Sequence, residues 1–160
     1  MKQKMPLVLF ILLCLSVTGC GKQSELPQFQ AQIEEFCTRI SAIDTSMNGI
    51  DASSDTAIEE LLEDLDSLDL EFQGLKEMDF PDEFDYLEDV SREASDYMAQ
   101  AVASYHEAFG SGSYHEALAE YAKQYYSRAY KRIQVILSFL HGEEPDDSAD
   151  LTIEVKYEEP

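Results

Sequence analysis

Tryptophan is absent from this chain, and only three cysteines, five prolines and seven glycines occur among its 160 residues. Three cysteines are too few for a disulfide-built mini-domain, and so little glycine and proline excludes a collagen-like or low-complexity chain. Basic side chains are also scarce. Eleven Lys and Arg face 33 Asp and Glu, for a formal charge of -22, which excludes a general nucleic-acid binder, because that footprint is basic. The regularly spaced turn signals of an all-β sandwich are missing. No apolar run reaches the roughly 18 to 20 residues that span a bilayer as a helix. What is present is a chain 44% hydrophobic and 28% charged, long enough for one compact domain and short for two.

Met1-Lys2-Gln3-Lys4 is a cationic start, and Met5 to Val17 is an apolar run interrupted by Pro6, Cys14 and Ser16. This is the anatomy of a secretory signal segment. It ends in Val17-Thr18-Gly19-Cys20, an aliphatic residue, two small ones and a cysteine, which resembles the lipobox of bacterial lipoproteins. The resemblance implies diacylglyceryl transfer to the Cys20 sulfur, cleavage after Gly19, and a lipid-anchored position on the extracytoplasmic face of a cell membrane. A thiolate is a good nucleophile for taking up a lipid, and two acyl chains, at about 0.8 kcal/mol per buried CH₂, hold where one is marginal. A plain secretory signal cut nearby and an uncleaved anchor are the alternatives. In an envelope with two membranes, Gly21 in place of Asp would favour the outer one by the lipoprotein sorting pattern.

Residues 1–19 thus read as a signal peptide and 20–28 as the lipidated cysteine with a polar tether. At about 3.3 to 3.6 Å per residue the tether reaches up to roughly 27 Å from the lipid. Residues 29–142 read as the helical domain, and 143–160 as an acidic tail. Removal of Cys14 and lipidation of Cys20 leave Cys37 as the remaining thiol, expected as a small buried hydrophobe, with an intermolecular disulfide as the alternative.

Four apolar stripes recur at helical spacing. The first carries Ile33, Phe36, Cys37, Ile40, Ile43, Met47 and Ile50, with Asn48-Gly49 as a left-handed stop. The second carries Ile58, Leu61, Leu62, Leu65, Leu68, Phe72 and Leu75, opened by a Thr56/Glu59 capping box, with Gly74 expected where the helix weakens. Pro81 suits the first turn of the third, whose inward positions run Phe84, Leu87, Ser91, Ala94, Met98, Ala101, Tyr105 and Ala108. After a turn at 109–113, a Ser113/Glu116 box opens the fourth, with Leu118, Ala122, Tyr125, Ala129, Ile133, Ile136 and Leu140, stopped by Gly142. Short connections place consecutive helices antiparallel. The expected fold is all-α, an antiparallel up-down-up-down four-helix bundle with coiled-coil-like packing. A three-helix arrangement with the first helix loosely docked is the alternative. In the tail, Leu151, Ile153, Val155 and Tyr157 alternate with polar residues, which is strand-like, but a lone strand has no partner in a bundle, and a disordered tail is expected, with pairing to a sheet edge of another protein as the alternative.

Charge is uneven along the chain. Between Asp51 and Asp89 sixteen Asp or Glu face one base, Lys76, whereas five acids and five bases balance from Val90 to Gly142. A hairpin turning near residues 111 and 112 sets residue i opposite 223 minus i. That register pairs Arg128, Lys131 and Arg132 with Glu88, Asp89, Glu93 or Asp96, each exposed pair contributing up to about 1 kcal/mol. The carboxylates of the second helix have few such partners and read as a solvated face, with an external cationic partner or divalent cations as alternatives. Around Asp64 and Asp69 the Asp spacing, glycine and terminal Glu of an EF-hand loop are missing.

His106 and His115 sit in a repeated Ser-Tyr-His-Glu-Ala, and His141 at a helix end. None has the spacing of a zinc-protease helix or a bundle di-iron site, so all read as surface residues. No nucleophile-base constellation or phosphate loop is suggested, and neither catalytic residues nor a cofactor or metal is expected. Tyr105, Tyr114, Tyr121, Tyr125, Tyr126 and Tyr130 cluster in or beside the last two helices, more than one core can bury. Phe80-Pro81-x-x-Phe84, Ala94-Ser-x-Tyr97-Met98 and Gly142-Glu-x-Pro145 resemble a pattern in small helical lipoproteins of Gram-positive bacteria that have no assigned activity, and the resemblance brings no site residues with it. The function expected is a non-enzymatic, membrane-anchored module that binds a cationic or envelope protein partner. A small-ligand or divalent-cation receptor is the alternative.

Overall fold

The computed structural model describes residues 25–110 and 112–143. The signal segment, Cys20 and the strand-like part of the tail lie outside the described residues. Among the described residues the fold is all-α, with four helices packed together: α1 (Leu26–Gly49), α2 (Ala57–Lys76), α3 (Leu87–Gly110) and α4 (Glu116–Leu140). Residue pairs show how neighbours run. Phe36 meets Phe72 and Arg39 meets Glu71 between α1 and α2. His106 meets Asp66 and Lys76 meets Asp96 between α2 and α3. Tyr86, just before α3, meets Phe139 of α4, and Arg132 of α4 meets Glu93 of α3. In each pair rising numbers on one helix face falling numbers on the next, so consecutive helices are antiparallel. The α3–α4 interface is the most extensive, and α1 packs mainly on α2.

The small residues of α3 explain that ranking. Ser91, Ala94, Ser95, Ala101 and Ala108 are all buried there, and against Ala122 and Ala129 of α4 they let the two backbones approach closely. The larger residues fill the centre. Phe36, Leu65, Leu68, Phe72, Leu75, Leu87 and Met98 are fully buried, each contributing roughly 1.5 to 3 kcal/mol of burial. Of the expected inward positions, several at the stripe edges, such as Ile43, Met47, Leu61, Leu62 and Leu140, are only partly buried. Ile58 is exposed, and Cys37 is only partly buried, its thiol pKa pushed up by burial first and by Glu34 second.

Element ends differ more than stripes do. Leu26 starts α1 inside the segment expected as tether, because Pro27 suits a first helical turn and Phe29 is buried against Phe80, 4.7 Å between ring centres. Asn48-Gly49 does not provide a left-handed stop, since among the described residues the positive-φ glycines are Gly112 and Gly142; α1 ends because Ile50 is extended. Thr56 caps α2 in position but turns its hydroxyl to Glu60, 2.6 Å away, rather than closing a box with Glu59. Gly74 stays helical, and α2 continues to Lys76.

Pro81 opens a 3-10 turn at Asp82–Phe84, and α3 begins only at Leu87. His115, rather than Ser113, precedes α4: its N–H is held by the Ala108 carbonyl at 3.0 Å and its backbone is extended. Gly142 behaves as expected. At φ 70° it closes a Schellman motif, with Glu143 N–H donating to the Ser138 carbonyl and Gly142 N–H to that of Phe139.

Candidate functional site

Aromatic residues on α4 meet the rest of the molecule on two sides. On the α1 side, Tyr126 and Tyr130 are one helical turn apart, so their rings stack at 4.8 Å between centres and both reach the same carboxylate. Tyr126 donates to Asp44 Oδ1 at 2.5 Å, and Tyr130 to Asp44 Oδ2 at 2.7 Å. The Tyr130 ring also lies 5.8 Å from Phe72 of the core. Burial first, and the Asp44 carboxylate with it, push both phenol pKa values well above the ordinary range, while the contact between the phenols raises that of Tyr130 and lowers that of Tyr126. These phenols stay protonated and act as donors. The cluster holds α1 to α4 across a seam where the helix backbones themselves make little contact.

On the α3 side Arg128 lies over two rings, 5.3 Å from the centre of Tyr125 and 5.8 Å from that of Tyr97. This is cation–π geometry. Tyr121 exchanges a 2.7 Å hydroxyl contact with Tyr125 and is exposed, as is Tyr114. Arg132 is buried and donates through Nε to Glu93 at 2.6 Å. The expected pairing of α4 cations with α3 carboxylates therefore holds for Arg132 and Glu93, displaced by two from the expected register. Arg128 goes to tyrosines instead, Asp89 pairs with Arg92, and Asp96 pairs with Lys76.

Among the described residues, cationic side chains reach the acidic α2 at Glu71 and Asp66. Glu71 takes Arg39 at 2.7 Å, which raises the already high guanidinium pKa, and Asp66 faces His106 Nε2 at 2.7 Å. His115 and His141 are exposed at either end of α4, while His106 is partly buried. Among the described residues no group of three or more His, Cys, Asp or Glu is arranged to hold a metal ion. Where α1 ends and α2 begins, the two helices leave a groove of about 630 Å³ between Ala42, Gly49 and Ile50 on one side and Glu60, Glu63 and Asp64 on the other.

Cys20, the attachment site expected from the lipobox, lies outside the described residues. Among those residues no helix is long and apolar enough to cross a membrane. Asp44 lies beside the first apolar stripe, and nothing local in the sequence announces that two tyrosines more than eighty residues away converge on it. The Tyr126/Tyr130 spacing was the available signal. No protein-family model, no curated protein and no solved structure matches the chain.

Proposed function

We propose that this chain is a lipid-anchored lipoprotein on the extracytoplasmic face of a bacterial membrane, and that its helical bundle binds a protein or envelope partner rather than catalysing a reaction. One observation carries the address: a cationic start, an apolar run of about thirteen residues and Val17-Thr18-Gly19-Cys20 follow one another without a gap. The binding role is supported by the surface. Exposed tyrosines, an exposed Leu70 and an acidic helix, of whose carboxylates cations meet Asp66 and Glu71 among the described residues, face solvent on a domain with a well-packed interior. Aromatic, amphipathic surface of this kind suits partner recognition.

The experiment is membrane fractionation with proximity crosslinking on intact cells, comparing the native chain with Cys20→Ala. The native chain is expected in the membrane fraction, joined to one reproducible partner, and Cys20→Ala is expected to leave the membrane. Unchanged membrane association of Cys20→Ala refutes lipid attachment at that residue. Membrane binding with no protein adduct refutes the partner reading and moves the weight to a small-ligand receptor.

A further inference from the structure

We propose that the groove between the end of α1 and the start of α2, together with the outer strip of α2 that continues it, docks a basic amphipathic segment of a protein partner. This deepens the partner-binding reading above and rests on it. The groove is open: a Cβ built at Gly49 would meet nothing within 4 Å. Its α2 wall carries Glu60, Glu63 and Asp64. Among the described residues no cationic side chain pairs with these three or with Glu59, since Arg39 of α1 is taken by Glu35 and Glu71, Lys76 by Asp96 and His106 by Asp66.

Apolar surface completes the strip. Leu70 lies two turns beyond Glu63 on the same outer face, about 10 Å along the axis, and is 67% exposed. Ile50 borders the groove at the other end. Carboxylates flanked by apolar residues at helical spacing match a partner helix that alternates Lys or Arg with Leu-type anchors at i, i+3 or i+4, and i+7. Position agrees with this. The groove is at the far end of α1 from Leu26, roughly 36 Å along a 24-residue helix, so an anchor preceding α1 attaches at the opposite end of that helix from the groove.

The test titrates the full chain, in zwitterionic detergent, with a 14-residue Lys/Leu amphipathic helical peptide, read by backbone amide NMR. A Glu/Leu peptide, spermine and Mg²⁺ serve as comparison titrants. Shifts are expected at 45–50 and 59–70, with the Glu/Leu peptide silent. Glu63→Lys combined with Leu70→Ser is expected to weaken the Lys/Leu peptide at least tenfold, and since both side chains are exposed its melting curve should stay put. Three results overturn the proposal: no binding, shifts spread equally over the other acidic stretch at 77–89, or displacement of the peptide by spermine or Mg²⁺ with the same shift pattern, which makes the groove a small-cation site. None depends on Cys20, so failure here is distinguishable from failure of the lipid address, which fractionation alone decides. It is equally distinguishable from failure of the partner reading, which the crosslinking on cells decides.

Discussion

Removing the Asp44 carboxylate strands two phenols at once. Hydrogen bonds to a charged acceptor contribute about 1.5 to 3 kcal/mol, and a donor left without its partner in a partly buried site costs more than the bond alone. Asp44→Ala is therefore expected to destabilise the fold by about 2 to 3 kcal/mol in urea unfolding, and Tyr126→Phe or Tyr130→Phe by about 1 kcal/mol each. The raised phenol pKa values give a pH signature with a definite sign. In the unfolded chain a tyrosine ionises near 10, whereas in the folded state it holds its proton higher. The stabilisation is complete below about pH 10, and it falls as pH rises above that value because the unfolded state then binds fewer protons. Stability followed from pH 8 to 11 should be flat and then decline in the native chain, and decline less in the Tyr126→Phe, Tyr130→Phe double variant. An equal decline in both would refute the assignment. None of this was legible in the sequence, which shows a tyrosine cluster and a carboxylate but not their meeting.

Glycine separates the ends of elements from their interiors. Gly74 sits within α2, where an added Cβ meets nothing within 4 Å. Gly74→Ala should raise stability by about 0.5 to 1 kcal/mol, because alanine loses less backbone entropy on forming a helix. Gly142, at φ 70° in the motif that ends α4, should respond the opposite way. Alanine there costs about 1 to 2 kcal/mol of left-handed strain, so thermal melts of the two variants should move in opposite directions. Helix existence and inward faces were readable because the 3.6-residue period repeats over five to seven turns. Ends were less so. Pro81 reads as a helix opener in isolation, yet the packing of Phe84 beside Phe29 and Tyr86 holds that stretch in a 3-10 turn. Ser113 reads as a cap, yet the hydrogen bond from His115 to Ala108 delays the start of α4.

The whole molecule repels itself. A formal charge of -22 on 160 residues exceeds what its few surface ion pairs offset, so screening should stabilise the compact state. Raising NaCl from about 0.01 M to 1 M shortens the Debye length from about 30 Å to 3 Å. The melting temperature should rise by a few degrees over that range, about 4 °C for each kcal/mol of repulsion relieved; a constant or falling value would show that pairing outweighs repulsion. Composition and periodicity alone determined that this protein is helical, acidic and built from four amphipathic segments, because burying an apolar stripe depends on spacing within one segment. The same twenty residues that end at Cys20 carry the expectation of an anchor without help from any fold. Tertiary structure decided which polar groups meet: Asp44 with two tyrosines, Arg132 with Glu93, and Arg128 with two aromatic rings, while among the described residues no cationic side chain meets the Glu63 carboxylate. Such contacts depend on the register between helices, where a shift of two residues changes every partner, and register is set by how the large and small side chains of separate helices fit together.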